Sequence, residues 1–346
     1  MIDVIKNRKI PFYASGAIFI ASVIALLVYG LKPGIDFTGG TLLEVEFEES
    51  RPTIADVQDV LLPLDMGGVV VQPTGERGMI LKMRYIDEVE HQQVLDTLRD
   101  AYEIRPEGPA PTPEELAAQG ESGIVLTAPD GSEQVIVKGD NGEAIEAERF
   151  NAQNKVNELR IETIGPSVSS QLREKAFEAA FVVILVIILY VAYAFRKVSK
   201  PVSSWKYGIT AIIALIHDVT ITMAVFAFLG KFSGVEVDIP FVVALLTILG
   251  YSVNDTIVVF DRVRENLIKD GSEKFAQSVN NGVNQTLVRS LNTSLTTLVV
   301  LLALFLFGGD SIHYFSLALI IGIILGTYSS IFLASPLLVT WHKWKK

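Results

Sequence analysis

Ionisable side chains sit at three places inside otherwise apolar runs of this sequence: His217 with Asp218, Asn254 with Asp255, and Arg289. A carboxylate or guanidinium at the centre of a membrane helix costs about 2.5–3.5 kcal/mol even on the most lenient scale. Such residues therefore face a protein or water-lined interior and mark ion or proton paths. The chemistry that these residue types support is proton carriage. A carboxylate that alternates between an arginine partner and a proton can load at one side of a membrane and unload at the other. Other readings stay open: Arg289 as a side chain snorkelling to the interface, Asp255 as a structural partner of a polar neighbour, and His217 with Asp218 as a mutually satisfied interior pair. The 346-residue chain has no cysteine, which excludes disulfides, thiolate nucleophiles and Cys-ligated metals.

Depth sharpens the picture. Asp255 lies 15 residues past Pro240, and Arg289 lies 18 residues before Phe307. At a helix rise of about 1.5 Å per residue, these are depths of about 22 Å and about 27 Å from one side of the membrane. Asp218, 11 residues before Leu229, falls about 16 Å down, close to the midplane. The spacing thus predicts that Asp255 and Arg289 reach similar depths and pair across adjacent helices.

These residues need elements to carry them. Half of the chain is hydrophobic, the mean hydropathy is +0.40, and the formal net charge is −10. The apolar residues come in blocks. Residues 32–173 hold 27 Asp/Glu and 12 Lys/Arg, a net of −15, which leaves +5 for the remainder. That division excludes a single soluble globule, and an anionic polar segment argues against nucleic acid as a partner. Six apolar stretches are long enough to span a bilayer: 11–30, 176–195, 207–229, 240–260, 290–307 and 313–340, spans one to six. Lys6, Arg8 and Lys9 before an apolar run also suit a signal peptide. The run is long for one, and no small-x-small site precedes Gly30-Leu31-Lys32, so span one is expected to remain as an anchor.

Lys and Arg collect at the N-terminus, in the 196–206 link (Arg196, Lys197, Lys200, Lys206), in the 261–289 link and in the tail, whereas 230–239 has only Lys231 and 308–312 none. By the positive-inside rule both termini and the basic links face the cytoplasm and the 32–173 segment lies outside. The expected domains are therefore 1–31, 32–173 and 174–346. Asp261, Arg262, Arg264 and Glu265 read as a solvated end of span four. Asn292, Thr293, Ser294, Thr296 and Thr297 give span five a polar stripe, which suits a helix facing helices or water rather than lipid. Gly322 and Gly326 form a G-x-x-x-G in span six.

In the outside segment, Thr41–Glu48 alternates as a half-buried strand, and Thr53–Leu62 is helical with Thr53 as N-cap and Asp56 three residues on. Val69–Gln72 and Met79–Tyr85 read as strands joined through Pro73-Thr74-Gly75. Asp87–Tyr102 is a helix and Val156–Ile164 a last strand, giving the βαββαβ order of an α+β ferredoxin-like domain. An insertion at about 105–150 opens with a Pro-rich linker, Arg105 to Pro113. It holds a hairpin, Ile124–Leu126 and Val135–Lys138 about Asp130-Gly131, and reads as a tolerated surface excursion. Nothing in the domain has the makings of a catalytic site. Its histidine, His91, reads as solvated on a charged helix face.

Several runs then resemble one family. Gly34-Ile35-Asp36-Phe37-Thr38-Gly39-Gly40, directly after span one, is similar to the G-x-D-F-T-G-G signature of the SecD/SecF components of bacterial protein export. Gly250 through Asn266, containing Asn254 and Asp255, resembles the span-four motif of the SecF branch. Ala214-Leu215-Ile216-His217-Asp218, Arg289-Ser290 with Thr293 to Thr297, and Gly326-Thr327-Tyr328-Ser329-Ser330 resemble its patterns in spans three, five and six. The 105–150 insertion is longer than the family's outside domain leads one to expect. The resemblance implies an integral-membrane α-helical protein, six helices forming half of a twelve-helix bundle of the resistance-nodulation-division (RND) superfamily. It implies SecD and the SecYEG channel as partners, with SecA and YajC nearby, a translocating preprotein as client, and the bacterial inner membrane as the location. It implies protons as the coupling ion, no other cofactor and no bond-making chemistry. It assigns coupling roles to Asp255 and Arg289, and less directly to Asp218, His217 and Asn254. An RND small-molecule exporter subunit and a passive scaffold or insertion factor are the competing functions.

Overall fold

The computed structural model describes residues 2–102, 122–127, 133–138, 144–146, 154–194, 204–271 and 274–343. Two compact units emerge, residues 38–170 and residues 1–37 with 171–346.

The 38–170 unit is built on a four-stranded antiparallel sheet. Its strands are β1 (Gly40–Phe47), β2 (Val70–Thr74), β3 (Gly78–Met83) and β7 (Val156–Ile164), in the order β2-β3-β1-β7. Alternation along β1 turns Leu43, Val45 and Phe47 to one face, where all three are fully buried. The register sets Leu81 and Met79 opposite Leu43 and Val45, and Val156 opposite Phe47. Helices α3 (Ile54–Leu61) and α4 (Glu88–Tyr102) close that face with Val57, Leu61, Val94, Leu95 and Leu98. The N-terminus of α3 carries the full capping box: the Thr53 hydroxyl accepts from the Asp56 N–H and the Asp56 carboxylate accepts from the Thr53 N–H. The expected βαββαβ order is what the chain adopts.

Three details differ from the sequence reading. β2 runs on through Pro73 and Thr74, which pair with Met79 and Gly78, so the turn falls later than Pro73. β2 is an edge strand, where a proline's missing N–H is not needed. The insertion holds a three-stranded sheet rather than a hairpin: β4 (Ser122–Thr127) pairs with β5 (Glu133–Lys138), and β5 with β6 (Ala144–Glu146). Its turn at Asp130-Gly131 and the Pro-rich linker lie outside the described residues. Finally, His91 is buried, not solvated. Its Nδ1 is 3.3 Å from Glu88 Oε1, and its Nε2 is 3.2 Å from Glu158 Oε2 on β7. The charged side chains around it fold over the ring.

The other unit holds six helices long and apolar enough to cross a membrane. Spans one to five are α1 (Lys9–Tyr29), α5 (Pro166–Ala194), α6 (Ser204–Ser233), α7 (Ile239–Asp270) and α8 (Phe275–Phe307). Span six is α9 (Asp310–Ser329), a π turn at Ser330–Ala334 and α10 (Ser335–Lys343), which accounts for its extra length. Spans three, four and six supply most of the buried surface. Tyr207, Phe226, Ile248 and Phe260 are among its largest fully buried side chains. The small residues of span six serve this packing. A Cβ on Gly322 would collide with the Ile248 side chain, and one on Gly326 would come within 3.0 Å of Ser252 Cβ.

Helices α7 and α8 extend well beyond the apolar windows. The 261–265 stretch is not a simple solvated end: Val263 and Leu267 pack with Phe275, Val279 and Val283 of α8 in one buried cluster. Asp261–Arg264 and Arg262–Glu265 pair along the helix, and Arg262 Nε donates to Gln285 Oε1 at 2.7 Å. The N-terminal segment joins the same bundle, with Val4 and Ile5 buried and the Asn284 side chain bonded to both backbone groups of Ile2.

Candidate functional site

Asp218 is completely buried, at 0% exposure, in the middle of span three. A buried carboxylate needs donors for its lone pairs. Span four supplies the Ser252 hydroxyl, which donates to Asp218 Oδ2 at 2.7 Å, and span six supplies the Ser329 hydroxyl at 2.6 Å to the same oxygen. The other oxygen, Oδ1, lies 2.9 Å from His217 Nδ1. The His217 ring is itself buried, stacks on Phe19 of span one at 6.3 Å, and its Nε2 has no hydrogen-bond partner among the described residues.

Asp255 sits one helical turn beyond Ser252 on span four and is half-buried. It too is held by two serines: Ser290 of span five donates to Oδ1 at 2.5 Å, and Ser330 of span six donates to Oδ2. Consecutive residues of span six therefore serve two different carboxylates. Around them the Tyr251 hydroxyl donates to Ser294 Oγ at 3.0 Å, Ser294 and Thr327 hydroxyls meet at 2.5 Å, and Tyr328 reaches Ser15 of span one at 3.0 Å. Two carboxylates, four serines and a histidine thus join spans three to six.

Not every candidate takes part. Among the described residues no ion pair joins Asp255 to Arg289, and Arg289 is exposed. The expected pairing fails for a rotational reason. Its neighbour Ser290 meets Asp255, so the level along the axis agrees, but consecutive helical residues point about 100° apart. Arg289 instead lines a cavity of about 370 Å³ with Asp261, Arg262, Glu265 and Gln285. Asn254 is exposed and makes none of these serine contacts. Sequence reasoning gave no role to Ser252, Ser290, Ser329 or Ser330, although each sits inside a quoted motif. A serine carries no signal until its partner is known.

The Gly34–Gly40 motif serves two structures. Its first half zips onto residues 236–239. Gly34 N–H donates to Val237 O at 2.8 Å, Val237 N–H donates to Lys32 O at 2.8 Å, and Lys32 pairs with Glu236 at 3.2 Å. The Asp36 carboxylate then accepts the Ile239 N–H at 2.8 Å, and Asp238 accepts the Phe241 N–H, so two carboxylates cap the start of span four. A short helix α2 (Ile35–Thr38) leads to the second half. Gly39 has a φ of 74°, where a Cβ would also crowd Ser169 Oγ at 3.2 Å, and Gly40 opens β1 opposite Ile164.

Comparison with known proteins points one way. The family model described as "Protein export membrane protein SecD/SecF, C-terminal" matches residues 144–344, and that for the "SecD/SecF GG Motif" matches residues 24–50. The Protein translocase subunit SecF of Thermobaculum terrenum is 41% identical over 345 residues, covering 99% of this chain and 94% of its own. The protein of the same name from Synechocystis is 34% identical, covering 99% and 95%. Among solved structures, SecDF from Thermus thermophilus, described as a translocon-associated membrane protein, superposes with a TM-score of 0.72 at 28% identity. That match covers 99% of this chain but spans only 39% of the solved one.

Proposed function

Because the chain belongs to the SecD/SecF family of protein-export membrane proteins, we propose that it couples proton flow across the membrane to the late translocation of preproteins. In this reading it works with SecD beside the SecYEG channel, in the bacterial inner membrane, with its termini cytoplasmic and the 38–170 unit outside. Asp255 carries the proton, and Asp218 and His217 belong to the same interior network.

The observation that carries the proposal is the way the two carboxylates are held. Both are bonded by serine hydroxyls and neither by an arginine or lysine among the described residues. A hydroxyl donates or accepts with equal ease. Asp255 can therefore be charged or protonated without breaking an ion pair, and Asp218 has only His217 as a basic neighbour among the described residues. A proton crossing 100 mV releases about 2.3 kcal/mol, enough to bias a domain motion of modest cost.

A second feature supports a partner within the membrane. Asn254 on span four, and Arg289, Asn292, Thr293 and Thr296 on span five, are polar side chains left exposed. Polar groups at membrane depth are rarely left to lipid, and the corresponding half of an RND-type bundle, SecD, would cover them. Arg289 then acts across that interface rather than on Asp255 from within the chain.

Asp255→Asn is the test, in vesicles reconstituted with SecD and SecYEG. Proton-motive-force-dependent stimulation of preprotein export is expected to fall to the unstimulated level while complex assembly is unchanged. Normal stimulation would sink the proton role, and loss of assembly would favour a scaffold.

A further inference from the structure

We propose that Ser329 and Ser330 are positioning residues that tie the protonation of Asp218 and Asp255 to the π turn of span six. In this scheme the turn is held while both carboxylates are charged and released when either takes up a proton. The proposal rests on the reading of Asp255 as a proton carrier.

Each serine has a second acceptor within reach. Ser329 Oγ donates to Asp218 Oδ2 at 2.6 Å and lies 3.2 Å from Gly326 O. Ser330 Oγ donates to Asp255 Oδ2 and lies 3.0 Å from Thr327 O. A hydroxyl has one proton to give. A charged carboxylate can only accept, and the resulting charge-assisted bond is about twice as strong as a neutral one. A protonated carboxyl becomes a donor itself. The serine then accepts from it and turns its own proton to the backbone carbonyl one turn back. No atom leaves the site, but a strong pin between span six and its neighbour becomes a weak one.

Both pins sit where span six changes its winding. Ser329 is the last residue of α9 and Ser330 the first of the π turn. A π turn is rare, and in α-helices it occurs as single-turn bulges that are often functional. Here the Ser335 hydroxyl also donates to Ser330 O at 2.9 Å, across the turn. Tightening the turn to α would rotate everything beyond it by about 100° and shift it by about 1.5 Å. What lies beyond is α10, whose Trp341 packs edge-on against Trp205 of span three, with ring centroids 5.3 Å apart.

The groups able to drive this are few. Asp218 is faced by His217 on its own helix, Ser252 from span four and Ser329 from span six, with the Phe19 ring of span one on the imidazole. Asp255 is faced by Ser290 from span five and Ser330 from span six. The nearest charged side chain along span five is Arg289, which is exposed.

The edge-on indole pair provides the readout. In full-length chain bearing Trp344→Phe and reconstituted in liposomes, the near-ultraviolet circular dichroism couplet of Trp205 and Trp341 is followed from pH 8 to pH 3. The couplet is expected to fade as the pH drops. Asp218→Asn and Asp255→Asn should each show the faded spectrum at every pH, as should S329A/S330A, while S329T/S330T, which keeps the hydroxyls, should follow the parent. His217→Gln separates the imidazole from the carboxylates: a response that persists there belongs to the carboxylates and supports the proposal, and its loss assigns it to the imidazole and overturns the proposal. A pH-independent couplet in the parent, or a parent-like response in S329A/S330A, overturns it as well. If Asp255→Asn abolishes proton-driven export while the couplet ignores Asp255, this inference falls and the functional reading stands. Normal export with a responsive couplet gives the reverse.

Discussion

Asp218→Ala would strand Ser252 Oγ and His217 Nδ1 in one step and leave Ser329 Oγ with only Gly326 O at 3.2 Å, because all three converge on that carboxylate. Each buried polar group without a partner costs about 1–3 kcal/mol. The variant is expected to unfold about 3 kcal/mol more easily in detergent denaturation. Asp218→Asn should lose far less, since its amide oxygen still accepts both hydroxyls. At this scale the sequence was informative about charge and silent about donors. Asp218 and Asp255 announce themselves because a carboxylate in an apolar run is costly. Ser329 and Ser330 do not, because serine is tolerated anywhere on a membrane helix. Arg289 exposes the other limit: counting residues fixes a depth, but facing depends on rotation, and one position moves a side chain about 100°.

Among the elements, those defined by alternation were legible almost to the residue. β7 runs from Val156 to Ile164 as its pattern dictates, and Thr53 caps α3 as its side chain allows. The helices were harder. An apolar window closes at the first polar cluster, yet α8 begins at Phe275, since Phe275, Val279 and Val283 form a stripe that buries against Val263. Packing of that kind also governs span six. Gly322→Leu is expected to force span six off Ile248 of span four and destabilise the bundle by about 1–3 kcal/mol, read as a lower denaturation midpoint. In the 38–170 unit, the start of α4 depends on pH. The Arg84 guanidinium, bonded to Glu90 at 2.6 Å, and the Asp87 N–H hold the Glu90 carboxyl below its ordinary value of 4.5. A depressed folded value means stability that is present above the ordinary value and lost as the pH falls through the folded one. Amide exchange in α4 should therefore accelerate between pH 6 and pH 3, beyond the intrinsic pH effect on exchange, and Glu90→Gln should flatten that difference.

For the whole molecule, the net charge of −10 divides into a strongly acidic 32–173 segment and a mildly basic remainder, and the compact units comprise residues 38–170 and residues 1–37 with 171–346. The β4-β5-β6 sheet shares no strand with the β2-β3-β1-β7 sheet. Replacing residues 106–149 by a short Gly/Ser linker is accordingly expected to leave preprotein export unchanged in reconstituted vesicles. Lost export would make the insertion part of the machinery. The zipper between residues 32–36 and 236–239 has a mechanical meaning. Asp36 grips the first turn of span four, and only three residues lie between it and Gly40, at most about 14 Å of chain if fully stretched. Tension on β1 is thus delivered to the helix that carries Asp255 along a short tether.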